Sequence, residues 1–350
     1  MPAAASTLAT ELVAWQRAHG RHGLPWQGHA DPYRVWLSEI MLQQTQVSTV
    51  LAYYDRFLQR FPDVATLAAA PLDEVLVLWA GLGYYSRARH LHRCAQAVVD
   101  LHGGRFPASA EGLQTLPGIG RSTAAAIASF CFGERVSILD GNVKRVLSRV
   151  LAFEGDLAEP RQERGLWGLA QALVPEDAAD MPAYTQGLMD LGATVCRLRQ
   201  PRCEVCPLAG RCRARAEDRQ AELPHKTRRL VRRSVELPLL WLRREDAHFL
   251  VQRPGRGIWA GLWALPDYPS ADALRAALAP WPGRLQTGET FTHVLTHRDL
   301  VITPFTLRCE AGGPPADWLQ THWPAGRWVR QTELSAHGLP APLQRLLQAG

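Results

Sequence analysis

The sequence predicts a mainly α-helical region over roughly its first two thirds, followed by a smaller α+β domain. Three observations carry this. Apolar residues recur at helical spacing from Leu8 to Val195, and the connections between the helical stretches are short and carry Gly or Pro. Residues 221–233 (AELPHKTRRLVRR) are charged, contain a Pro and show no apolar face, which reads as a basic interdomain linker. Beyond it the period falls toward two, with Val235, Leu237, Leu239 and Trp241 alternating with their neighbours.

Each element has a local reason. Leu8, Leu12 and Trp15 share one face of a first helix. Asp31-Pro32 pairs an N-cap with a first-turn proline and opens a second helix through Tyr33, Trp36, Leu37 and Ile40. Further helices fit residues 50–61, 73–80, 86–101, 122–132, 143–151, 163–173 and 185–195. In the second domain Phe249 and Val251 mark another strand, two strand candidates lie between residues 289 and 308, and helices fit residues 271–278 and 342–348.

Composition narrows the class. The chain has 350 residues, 47% apolar and 21% charged, enough for two cores and too apolar for a disordered protein. No apolar run approaches the roughly 20 residues of a membrane span, and residues 1–10 lack a signal core, so a soluble, cytoplasmic protein is expected. The net charge is +6, and its distribution is uneven: residues 1–190 carry −3, residues 191–233 carry +8 and residues 234–350 carry +1. The whole excess sits in one short segment, almost all of it arginine, and an anionic partner such as nucleic acid is expected there.

Four of the seven cysteines, Cys196, Cys203, Cys206 and Cys212, fall in the spacing C-x6-C-x2-C-x5-C. Such density without a secretion signal suits a tetrahedral zinc or a cubane iron-sulfur cluster rather than disulfides, and a single close pair favours the cluster. Seven arginines (197, 199, 202, 211, 213, 215 and 219) decorate this loop. Upstream, Leu116-Pro117-Gly118-Ile119-Gly120-Arg121-Ser122-Thr123 joins two helical patterns. Gly118 and Gly120 permit a tight turn and close approach to an anion, although a simple helix-helix turn would use the same residues.

Two carboxylates stand apart. Glu39 is the one charged residue between Arg34 and Asp55, and apolar surroundings should raise its pKa into the range of a general acid, unless it lies on an exposed helix face. Asp140, in Leu139-Asp140-Gly141-Asn142, is placed as an N-cap, where helix N–H groups would keep it ionised. A neutral acid beside a fixed anion is the pair that cleaves a glycosidic bond through an oxocarbenium-like state.

Taken together, SEIMLQQTQV from Ser38, GLGYYSRAR from Gly81, LPGIGRSTA from Leu116, LDGNVKRVLSR from Leu139 and the Cys cluster resemble an adenine DNA glycosylase of the MutY type, over nearly the whole chain. The helical region is similar to the helix-hairpin-helix glycosylase superfamily that includes endonuclease III. The resemblance implies a helical catalytic domain over 1–220 in two subdomains, with the helix-hairpin-helix at about 110–132 and a 4Fe-4S cluster loop at 196–212. It implies a Nudix-like lesion-recognition domain over 234–350 in which no acidic, magnesium-binding helix follows Gly261-Leu262-Trp263. The substrate would be duplex DNA with adenine opposite 8-oxoguanine, or A·G more weakly. The enzyme would be monomeric, nucleoid-associated when on DNA, with repair or replication proteins as further partners.

Carried over by position, Glu39 would protonate the adenine, Asp140 would stabilise the cationic sugar and Asn142 would orient the site. Trp26, Leu42, Gln186 and Ser122 would form the base pocket, Gln44 and Tyr84 would wedge into the duplex, and Gly118 and Gly120 would hold its backbone. Ser122 replaces the lysine of endonuclease III type enzymes, so base removal without a dedicated lyase is expected, with Lys144 a candidate for adventitious adducts. Leu295, Thr296 and His297 match the lesion-contacting segment, with Leu and Thr where Phe and Ser are common.

Overall fold

The computed structural model describes residues 2–227, 231–281, 285–309 and 313–349, with side chains from Leu8 onward. It divides into two compact units, residues 1–69 with 90–229, and residues 70–89 with 230–350. No described helix is long and apolar enough to cross a membrane.

Helices α1 (Pro2–His19), α2 (Pro32–Leu42), α3 (Val47–Arg60) and α4 (Val64–Ala69) open the first unit. Helix α5 (Leu72–Trp79) belongs to the second, and α6 (Ser86–His102) runs on into α7 (Ala110–Gln114), α8 (Arg121–Phe132), α9 (Gly141–Leu151) and α10 (Pro160–Ala172). Helix α11 (Met181–Asp190) and the short α12 (Arg213–Ala216) complete the set. The expected cap forms: Asp31 accepts the N–H of Tyr33 at 2.9 Å, and Pro32 occupies the first turn. The core joins Leu12 of α1, Val143, Val146 and Leu147 of α9, Leu166 of α10 and Leu188 of α11, all buried.

Two departures from the sequence expectations have clear causes. The helix expected over 185–195 stops at Asp190 and widens into a π-helical turn, Leu191–Val195, where Cys196 N–H reaches the carbonyl of Leu191 at 2.7 Å. A π turn commonly marks a functional site, and this one leads into Cys196, the first of the four closely spaced cysteines. The segment read as a linker without an apolar face begins as part of the first unit. Leu223 is buried against Ala152 and Ala214, and Leu157 N–H bonds the carbonyl of His225 at 3.0 Å. Residues 228–230 of that segment lie outside the described residues.

In the second unit β1 (Arg233–Arg244), β2 (Ala247–Gln252), β3 (Trp263–Ala264), α13 (Ala271–Leu278), β4 (Gln286–Thr287), β5 (Phe291–Val294), β6 (Arg298–Arg308), α14 (Ala316–His322), β7 (Arg327–Arg330) and α15 (Ala341–Ala349) follow in order. They build a mixed sheet ordered β3-β2-β1-β6-β4, with β5 added to β6 and β7 to β2. Strands β1 and β6 are parallel, from Arg233 opposite Arg298 to Arg243 opposite Arg308. The alternation expected in β1 gives way to a continuous buried run from Leu237 to Leu242, because a central strand covered on both faces has no solvent side.

Candidate active site

Helix α2 turns one stripe inward and another toward a cavity. Tyr33, Trp36, Leu37, Ile40 and Met41 are buried away from solvent, and Val35, Ser38, Glu39 and Leu42, spaced i, i+3, i+4 and i+7, of which Val35 and Ser38 are also buried, line a cavity of about 520 Å³. Trp26, Gln186 and Met189 form other walls, so Trp26, Leu42 and Gln186 share this cavity with Glu39. Trp26 is held edge-on to Tyr54, ring centroids 5.3 Å apart. The volume lies within the usual range of small-ligand sites, and the mostly apolar wall suits a flat heteroaromatic ring.

Glu39 is half-buried, open on the cavity side. Burial, and secondarily the negative charge of Asp140, push its pKa from 4.5 up to about 8, so it holds a proton at neutral pH. Asp140 caps α9, accepting the N–H of Val143 at 2.7 Å. Those capping N–H groups were expected to hold it low. Burial outweighs them, together with Arg145 and Lys144, and moves its pKa upward. The N–H groups of Val143 and Asn142, with Arg145 and Lys144, favour its ionised form, and its negative charge is among the causes that raise Glu39.

Ser122 is not part of the cavity wall. Its hydroxyl accepts the N–H of Leu139 at 3.2 Å, tying the start of α8 to the residue before Asp140. Asn142 accepts from Arg145 at 2.8 Å, and the same guanidinium bonds the carbonyls of Cys196 and Gly192. Lys144 is engaged by Glu163 at 2.7 Å, which holds its amine in an ion pair.

The hairpin between α7 and α8 separates the two glycines. Gly118 has φ +79°, and a Cβ there would fall 2.6 Å from Cβ of His90. Gly120 is extended, and a Cβ would meet nothing within 4 Å. Internal packing demands the first glycine; the second leaves open space beside the free N–H groups of α8, where an anion would approach. Gln44 and Tyr84 both adopt left-handed backbones, φ 58° and 47°. Such conformations cost a non-glycine residue roughly 1–2 kcal/mol and recur at functional positions.

Cys196, Cys203, Cys206 and Cys212 line one small cavity. Among the described residues no three His, Cys, Asp or Glu side chains are grouped to hold a single metal ion. Four cysteine sulfurs are the donor type that a cubane cluster takes, and two of them accept hydrogen bonds, Cys196 Sγ from Arg149 at 3.4 Å and Cys203 Sγ from Gln220 at 3.9 Å. Arg149, 2% exposed, also bonds the carbonyls of Arg197, Leu198 and Leu223. Several arginines of this segment carry acidic partners. Arg211 pairs with Glu11, Arg213 with Glu217, Arg202 with Glu204, and Arg219 with Glu154, Glu217 and Glu222. Glu204, Glu217 and Glu222 are already counted in the +8 of this segment, but Glu11 and Glu154 come from outside it, so the excess positive charge there is smaller than the sequence count implies.

Within the second unit Leu295, Thr296 and His297 lie at the turn between β5 and β6 and line a cavity of about 600 Å³ with Tyr84, Arg89, Trp259 and His293. The hydroxyls of Tyr84 and Thr296 share a hydrogen bond at 2.7 Å. Sequence reasoning missed Trp259, which is buried and left-handed at φ 53°, and it missed Arg149 and Asp190. The one available signal was an arginine standing on the apolar face of α9 between Val146 and Val150.

The chain matches the family described as HhH-GPD superfamily base excision DNA repair protein over residues 37–171 and the NUDIX domain family over residues 239–349. It is 36% identical to an adenine DNA glycosylase of Homo sapiens, covering 96% of this chain and 72% of that one. Against an adenine DNA glycosylase of Buchnera aphidicola subsp. Acyrthosiphon pisum it is 33% identical over 96% and 95%. Among solved structures it is similar to a thermostable thymine-DNA glycosylase (TM-score 0.54, 27% identity, 61% of this chain and 97% of that). It shares its fold with an endonuclease III in a non-covalent DNA complex (TM-score 0.52, 20% identity, 62% and 98%).

Three outcomes are expected. The raised pKa of Glu39 means the folded protein retains a proton that the unfolded chain releases above pH 4.5, so this contribution is complete below that pH and is lost as pH rises through about 8. Glu39→Gln should therefore gain stability over the parent with rising pH, by about 2–3 kcal/mol at pH 7, in urea titrations at pH 4.5, 7 and 8. Gly118→Ala should destabilise by about 2 kcal/mol or more, whereas Gly120→Ala should leave the melting temperature near that of the parent and weaken duplex binding. Arg149→Met should cost about 3–5 kcal/mol, because carbonyls it serves would be left buried without donors.

Proposed function

The chain belongs to the adenine DNA glycosylase family and is a base excision repair enzyme, and from that premise we propose that it flips adenine mispaired with 8-oxoguanine, or more weakly with guanine, out of duplex DNA and hydrolyses its glycosidic bond. The observation that carries this reading is a protonated Glu39 on the wall of an apolar cavity, electrostatically coupled to the anion Asp140. Glu39 donates its proton to a ring nitrogen of the base, and adenine leaves neutral. Asp140 balances the positive sugar, Asn142 orients the site, and water attacks C1′.

The remaining assignments extend the same reading. Residues 1–220 form the catalytic region, with Gln44 and Tyr84 as wedges and Gly118 and Gly120 at the DNA backbone. The segment 221–233, whose start packs on the first unit, leads into residues 234–350, the lesion-recognition domain, with Leu295, Thr296 and His297 toward 8-oxoguanine. The Tyr84–Thr296 hydrogen bond supports joint use of a wedge and the lesion segment. Cys196, Cys203, Cys206 and Cys212 would hold one 4Fe-4S cluster. When bound, the cluster cross-links the loop through iron–sulfur bonds. Ser122 at the lysine position, and Lys144 paired with Glu163, support base removal without a lyase step.

Single-turnover base release on A·8-oxoguanine, A·G, A·C and thymine glycol duplexes tests the reading. Adenine opposite 8-oxoguanine should be released fastest, at a rate that falls about tenfold per pH unit above about pH 8 as Glu39 loses its proton. Glu39→Gln should lose at least about 100-fold in rate. Normal adenine release by that variant would sink the acid assignment.

A further inference from the structure

One ion pair beside the cavity, between a half-buried arginine and a buried carboxylate, has no part in proton transfer. Asp190, fully enclosed, follows Gln186 by one turn of α11. Its Oδ1 accepts from Nε of Arg21 at 2.7 Å and from Nε2 of Gln186 at 2.8 Å, and its Oδ2 accepts the backbone N–H of Arg21 at 2.9 Å. Arg21 and Gln186 line the cavity; Asp190 stands behind them.

The chemistry of this arrangement is directional. A primary amide has two ends of nearly equal size and opposite hydrogen-bonding sense, so shape alone does not choose its orientation. A carboxylate facing a guanidinium offers only acceptors, and Gln186 satisfies it only with its NH₂ end. One hydrogen of Nε2 is thereby consumed. Oε1 and the second N–H hydrogen remain as an adjacent acceptor and donor. That pair complements a 6-amino purine, which offers an amine donor beside a ring-nitrogen acceptor, and it opposes a 6-oxo purine, whose carbonyl would face Oε1.

We propose that the Arg21–Asp190 ion pair sets base specificity by locking the amide of Gln186, so that the cavity accepts a 6-amino purine and rejects a 6-oxo purine. Asp190 is a positioning residue, and Arg21 holds it through both a side-chain and a backbone donor. This inference rests on the adenine-excising reading above and adds the element that would discriminate within that pocket.

The test measures single-turnover release of adenine and of hypoxanthine from otherwise identical duplexes opposite 8-oxoguanine. The parent protein should favour adenine by at least about 100-fold, the scale on which mispaired buried polar groups discriminate. Asp190→Asn, whose own amide can present either end, frees Gln186 to invert and should reduce that ratio at least about tenfold. In Asp190→Asn/Gln186→Glu the residue at 186 is again an acceptor toward the base, and the preference should return. A uniform loss of rate in Asp190→Asn with an unchanged ratio would overturn the proposal, since a structural role alone lowers both rates together. A parent ratio below tenfold overturns it without any variant. Release of neither base by the parent would instead refute the adenine-excising reading.

Discussion

The first unit is organised around a guanidinium with almost no access to water. Arg149 projects from the buried face of α9 and bonds the carbonyls of Arg197, Leu198 and Leu223 and the sulfur of Cys196. Four points on two distant stretches of chain are gathered by one side chain. A buried cation is costly unless its donors are used, so the loop and the start of the linker segment must take up their places when α9 does. The same helix begins with Asp140, so the element that presents one carboxyl group of the candidate site also anchors the Cys loop. Arg145, one turn earlier, repeats the logic by bonding Asn142, Gly192 and Cys196.

The site separates two carboxyl groups by environment rather than by chemistry. Glu39 lies on a helix stripe facing a largely apolar cavity, and burial keeps it protonated. Asp140 is also buried but sits on helix N–H groups near Arg145 and Lys144, and these offset part of the cost of its charge. The charge of Asp140 helps hold the proton on Glu39. Gln186 owes its orientation to a third carboxylate, Asp190, which is neutralised by Arg21 and so stays out of this exchange.

Much of this was legible along the chain because it is local. Asp31-Pro32 and Asp140 announce helix starts through their own side chains, and both cap as written. The stripe containing Glu39 and Leu42 follows from 3.6-residue periodicity. Other features were not legible. Leu223 reads as an isolated apolar residue in a charged segment until Ala152 and Ala214 are seen to cover it. The arginines near the cluster loop read as free charge until Glu11 and Glu154, both distant in sequence, are found beside Arg211 and Arg219. Ser122 reads as a pocket residue by position, yet its hydroxyl serves a backbone N–H.

The sequence by itself determined the helical class of the first two thirds, the change of period after residue 233, the cysteine spacing and the identities of the two carboxyl groups. These depend on neighbours within a turn or two of chain. Tertiary structure alone decided that Glu39, Trp26 and Gln186 share a cavity, that Asp140 rises rather than falls in pKa, and that Asp190 fixes the amide beside it. The reason is physical. Desolvation and the field of opposing charges depend on what stands across a few ångströms of space, and those groups come from segments far apart along the chain.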